Sequence, residues 1–75
     1  MKFNLYIVKF TIDKYNKGAA IIIAESMEKA ASLLKTQGKF NGTGYNYNIE
    51  EILLVSDTNQ YNFETIIEEI AYFIP

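Results

Sequence analysis

The chain has no cysteine, histidine, arginine or tryptophan, and its one proline is the last of its 75 residues. Without cysteine there is no disulfide framework and no thiolate chemistry. Without histidine the usual zinc ligand and the usual neutral-pH proton shuttle are both missing. Without arginine there is no bidentate reader of guanine. A chain of this size buries only about 60% of the surface that its unfolded form exposes. Small chains make up the difference with covalent or metal staples, or by associating. Since cysteine and histidine staples are excluded here, self-association is the expected route, with a dimer as its simplest form.

Long apolar runs are missing too. No stretch approaches the roughly 20 apolar residues that a membrane-spanning helix needs. The apolar opening is interrupted by Asn4 and Lys9, which does not fit a cleaved secretory leader, so the expected location is the cytoplasm. Abundant Ile, Lys, Asn, Tyr and Phe with no Arg fits an AT-rich genome, which would explain lysine in place of arginine without any functional reason.

Positive charge is confined to one half. All seven lysines lie at or before Lys39, against Asp13, Glu25 and Glu28, so residues 1–39 carry +4. Residues 40–75 carry Glu50, Glu51, Asp57, Glu64, Glu68 and Glu69 and no cation, a balance of −6. A chain divided in this way presents a two-signed surface that can pair with a copy of itself or with a charged partner.

Along the chain, residues 2–13 read as a strand. Phe3, Leu5 and Ile7 alternate on one parity, and Val8, Phe10 and Ile12 on the other. Such a shift means a bulge, or a central strand with apolar neighbours on both faces. Asp13 to Gly18 is a turn signal. The run Ala19 to Ala24, β-branched at Ile21, Ile22 and Ile23, makes the second strand of a hairpin. Ser26 is placed as an N-cap, with Glu28 in the first turn. Met27, Ala30, Ala31 and Leu34 form one apolar helical face, and Gly38 is placed to end that helix in the left-handed conformation.

Residues 38–48 lack periodicity and read as a loop. Ile49 to Val55 is a third strand, and Asp57 to Asn62 a polar break with Asp57 or Asn62 available as a cap. Phe63, Ile66, Ile67, Ile70 and Ile74 then follow helical spacing. The strand-favouring Thr65-Ile66-Ile67 and Tyr72-Phe73-Ile74 leave a fourth strand as the alternative. The expected fold is α+β: a single domain over residues 1–75, ββαβα, with a three-stranded sheet of order 2-1-3 and helices mainly on one face. That arrangement leaves Ile, Phe and Tyr side chains on the second face, and an uncovered apolar face is an interface.

Little in the chain points to catalysis. Glu50 and Glu51 are neighbours on a strand and point to opposite faces. On a terminal helix Glu64 and Glu68 would share a face and, with Asp57, offer oxygen ligands to a hard cation. The plainer reading is a solvated acidic face. Gly42-Thr43-Gly44 lacks both nucleotide-loop signatures and precedes a strand, whereas a phosphate cradle opens a helix. No catalytic residue, metal ligand or cofactor is assigned. The expectation is a protein that is not an enzyme.

The aromatic loop is the candidate binding site. Lys39, Phe40, Tyr45 and Tyr47 sit among Gly and Asn, a mix that offers flat contact area and adaptable hydrogen bonding to a protein. It also offers stacking on a base, worth about 1–3 kcal/mol per base. The competing reading folds Phe40 and one tyrosine back over the small core. DNA or RNA binding finds little support, because Lys2, Lys9, Lys14, Lys17, Lys29 and Lys35 do not cluster and the net charge is −2.

The opening Met1-Lys2-Phe3-Asn4-Leu5-Tyr6-Ile7-Val8 and the passage Ile23-Ala24-Glu25-Ser26-Met27-Glu28-Lys29-Ala30 resemble small uncharacterised proteins of bacteriophages and mobile elements from low-GC bacteria. The resemblance covers the first 37 residues as a pattern of strand, hairpin and capped helix, and it carries over no functional residue. It implies a compact, often oligomeric binder of the kind that inhibits host defence systems. The leading expectation is therefore a non-enzymatic, self-associating protein that binds a host or partner protein through the 38–48 loop and the acidic terminal segment. The alternative is an oligomer that sequesters a nucleotide through Lys39, Tyr45 and Tyr47.

Overall fold

The computed structural model describes residues 3–12 and 16–73, with side chains for all of these but 56–60 and 71–73. The elements are β1 (Phe3–Thr11), β2 (Asn16–Ala24), α1 (Met27–Gln37), β3 (Asn48–Tyr61) and β4 (Thr65–Phe73). All strand pairings are antiparallel, in the order β3-β1-β2-β4. The fold is α+β, as expected, but with four strands and one helix. β1 does lie between β2 and β3, while β4 extends the sheet beyond β2.

The terminal segment is the main correction. Its period-3.6 apolar spacing is coincidental, and residues 65–73 pair with β2 from Asn16↔Phe73 to Ile23↔Thr65. The third strand is longer than its apolar run, since the polar residues expected to break it continue the ladder to Tyr61. Glu64 and Glu68 therefore share no helix. Residues 13–15 of the expected turn and Ile74 lie outside the described residues, as does the side chain of Asp57.

β1 explains its own two-sided apolar pattern by its central position. Tyr6, Val8, Phe10 and Ile12 are buried with Ala20, Ile22 and Ala24 of β2 and with Ala30, Leu33 and Leu34 of α1. α1 begins as the sequence indicates, with the Ser26 hydroxyl accepting from the Lys29 N–H at 3.1 Å. Its other end differs. Gly38 is extended (φ −69°, ψ 165°) and not left-handed, and its N–H donates to the Leu34 carbonyl at 2.9 Å. Glycine is needed there for space, because a Cβ would run into Leu34 and the Tyr47 hydroxyl.

The link between β3 and β4 shapes the sheet. Only residues 62–64 join strands on opposite edges. Three strand spacings would separate those edges by about 14 Å in a flat sheet, about the most that four extended steps from Tyr61 to Thr65 can reach. The chain bends at Phe63 and is not extended, so the two edges approach each other at this end, where the Glu64 carboxylate accepts from the Glu25 N–H at 3.3 Å. β3 reaches the crossing by leaving its register, because Leu5 pairs with Ser56 but Phe3 pairs with Tyr61.

Gly18 gives a test of how tightly the β2–β4 seam is packed. A Cβ there would lie 2.5 Å from both the Phe10 ring and the Ile70 carbonyl. Gly18→Ala should cost about 1–3 kcal/mol by overpacking, read as a lower denaturation midpoint with an unchanged slope. An unaltered midpoint would mean that the seam is loose.

Candidate functional site

A carboxylate organises the aromatic loop from the far side of the sheet. Glu69 stands on β4 opposite Ala20, on the face that α1 covers, and is only 3% exposed. Burying an ionised group requires strong partners, and both of its oxygens have one. One oxygen accepts from the Lys39 backbone N–H at 2.8 Å. The other accepts from the Tyr47 hydroxyl. The Lys39 ammonium in turn donates to the Glu69 backbone carbonyl at 2.8 Å. The Tyr47 hydroxyl closes the ring of contacts by accepting from the Phe40 N–H at 2.9 Å.

Aromatic packing fixes the same loop. The Tyr47 ring meets Phe10 edge-on, with centroids 4.9 Å apart. Phe40 stands edge-on to both Tyr45 and Tyr47, at 6.3 and 6.1 Å. Gly42 (φ 82°) and Gly44 (φ 93°) supply the two left-handed turns between them, a conformation that costs glycine little. Burial and the adjacent Glu69 carboxylate push the Tyr47 hydroxyl up to about 12, because both disfavour the phenolate.

The four expected binding residues therefore divide. Lys39, Phe40 and Tyr47 are brought together, but around Glu69 and the core. Tyr45 faces solvent at 54% exposure. Beside it lies an open recess of about 390 Å³ lined by Lys35, Asn41, Tyr45 and Asn46 among others. Lys35, which the sequence shows only as one of several scattered lysines, is the cation of that recess. In the sequence Glu69 stands out only as one of the acidic residues of the second half. No local signal marks it as buried, since its partners lie 22 and 30 residues away. Among the described residues no three carboxylates converge to hold a metal ion.

A second feature is larger than the loop. The sheet face opposite α1 carries Leu5, Ile7, Ala19 and Ile21, all half-buried, with Leu53 40% exposed and Ile70 55% exposed. Lys17 and Glu68 flank it, and Lys9 and Glu51 pair across it at 3.4 Å. Both side chains of that pair are half-exposed, so the contact adds little to stability. Ile23, at the end where the 62–64 link crosses, is the one buried residue of this face among the described side chains. No helix among the described residues is long and apolar enough to cross a membrane. Comparison with protein-family models, curated proteins and solved structures returns no match.

Two outcomes follow from the Glu69 cluster. Tyr47→Phe leaves a buried carboxylate oxygen and the Phe40 N–H without their partner, which should cost about 1–3 kcal/mol in a urea melt. No loss would mean that the cluster is wet. The second outcome concerns pH. The folded-state value near 12 lies above the ordinary value of 10.0, so the protonated phenol's contribution is fully present below pH 10 and is lost as pH rises toward 12. Ultraviolet titration should show a late-ionising tyrosine that Tyr47→Phe removes, and its persistence in that variant would assign the late step elsewhere.

Proposed function

We propose that this chain is a non-enzymatic cytoplasmic binding protein that works through protein–protein contact and self-association, of the kind a bacteriophage deploys against a host system. The observation that carries this reading is the uncovered apolar face of the sheet. Six apolar side chains from all four strands stand on it, and a contiguous apolar surface of that extent marks an interaction site. The absence of cysteine and histidine supports the same reading, because association then supplies the stability that a staple would give so short a chain. A host or partner protein would be engaged by the exposed part of the 38–48 loop, with Tyr45 at its tip, and by the acidic residues of the terminal segment.

The recess beside Tyr45 favours a second reading, a nucleotide-sequestering oligomer. Lys35 and Tyr45 would hold the ligand there, because Lys39 and Tyr47 are committed to Glu69. The recess abuts the C-terminal turn of α1, where the helix dipole disfavours an anion, and this ranks the reading second.

Sedimentation velocity from low micromolar to millimolar chain should show conversion from monomer to a larger species. A monomer throughout that range would remove self-association. A thermal-shift panel of mono-, di- and cyclic nucleotides separates the two readings. A bound nucleotide at 100 times its dissociation constant stabilises the fold by about 2.7 kcal/mol, and a flat panel removes the second reading.

A further inference from the structure

Self-association leaves open which surface two copies share. A sheet can be extended along an edge or covered on a face, and the structure distinguishes these possibilities. Both edge strands are irregular. On β3, Glu50 and Val55 are extra residues against β1, so only Glu51–Leu54 runs in unbroken register. On β4, Ile67 is extra against β2, between the partners of Ile21 and Ile22. Bulges of this kind twist an edge away from strand addition. Glu50 and Glu51 on β3 and Glu68 on β4 add acidic charge to edges that also expose Leu53, Leu54, Val55, Ile67 and Ile70, so the bulges rather than the charges disfavour edge pairing. At the centre of the face the β1–β2 pair runs in unbroken register.

Size and charge identify the occupant. The open part of the face spans four strands and about five residues, roughly 19 by 17 Å, or on the order of 300 Å² in projection before side-chain relief is counted. Two such faces make an interface at the small end, that of a weak association and not of a permanent dimer. The molecule is elongated, 39 Å in its longest dimension, and its charges are sorted along the strands. On the open face Lys17 stands at the end holding the β1–β2 connection, next to the paired Lys9 and Glu51, while Glu25 and Glu64 lie at the opposite end. Glu28, Lys29, Lys35 and Lys39 belong to α1 and its following loop, on the other side of the sheet. A surface that is apolar in the middle and oppositely charged at its two ends is complementary to itself when inverted.

We infer, resting on the self-association proposed above, that a second copy of this chain covers the open face in an inverted, two-fold arrangement. Sheet packs on sheet, and the basic end of one copy lies over the acidic end of the other. Isologous contact of this type closes at two copies, with the sheets about 10 Å apart and a helix on each outer side. Ile7 and Ile21 lie near the axis, and Lys17 of each copy approaches Glu25 and Glu64 of the other.

The absence of cysteine makes the test direct. Single-cysteine variants Ile21→Cys beside the axis on the face, Leu54→Cys on the β3 edge and Ile67→Cys on the β4 edge are treated with a short bis-maleimide at a concentration where sedimentation shows association. Efficient cross-linking through position 21 alone is expected. Cross-linking through position 54 or 67 with position 21 unlinked overturns the face while leaving self-association standing. A wild-type chain that sediments only as a monomer removes both. For the orientation, Lys17→Glu should weaken association about tenfold by setting like charges against each other, and adding Glu25→Lys should restore it. A dissociation constant unmoved by Lys17→Glu overturns the inverted arrangement.

Discussion

One helix has to cover four strands. α1 is about 10 Å across, while the sheet it rests on is about 19 Å wide and apolar on both faces at β1. The helix packs over β2, β1 and β4, where Ala20, Ile22, Ala24, Ala30, Leu33 and Leu34 are all buried. Leu54, on the same side but out on β3, stays 45% exposed. On the opposite side there is no second layer among the described elements. The content of one helix and four strands therefore leaves apolar surface over on the side that α1 does not cover.

The same economy explains the Glu69 cluster. The loop of residues 38–47 has no regular structure, yet it must return the chain from the end of α1 to the start of β3 and close the core over Phe10. An apolar residue at position 69 would fill the space but leave the backbone N–H of Lys39 without an acceptor, and an orphaned buried amide is costly. A carboxylate satisfies that amide and the Tyr47 hydroxyl together, and the phenol passes the connection on to Phe40. The loop is fixed to the sheet by polar contacts at one end and aromatic edges at the other. Its one outward ring, Tyr45, is presented from a rigid base, which limits the ordering cost of any contact it makes.

Much of the first half of the fold is legible in the sequence, because its signals are local. Alternation in residues 3–12, the β-branched run at 21–23 and Ser26 before an apolar helical face each identify their element within a few residues. Gly38 shows the limit of that reading. It does end the helix, but glycine is required there by the nearness of Tyr47, nine positions on, and not by its backbone angle. The second half is decided at a distance. β4 conceals its period of two because Ile67 is a bulge and the inward position 69 carries a glutamate, and what remains mimics a helix. The polar end of β3 has no strand signal, because its place in the sheet is set by pairing with β1 at Ser56 and Tyr61 and not by its own residues. In the loop, composition picks out four residues but cannot show that Lys39 and Tyr47 are held by Glu69 and Phe40 by Tyr47, because these partners are set by the fold and Glu69 is remote in sequence.

The central claim is that the folded chain is stabilised by a second copy on its open sheet face, which ties stability to concentration through mass action. The most direct measurement is the thermal midpoint followed across a hundredfold range of chain concentration at constant salt. A midpoint that climbs steadily with concentration is the predicted result. A midpoint identical at every concentration would mean that the exposed face contributes nothing to stability through association, and the account would be contradicted.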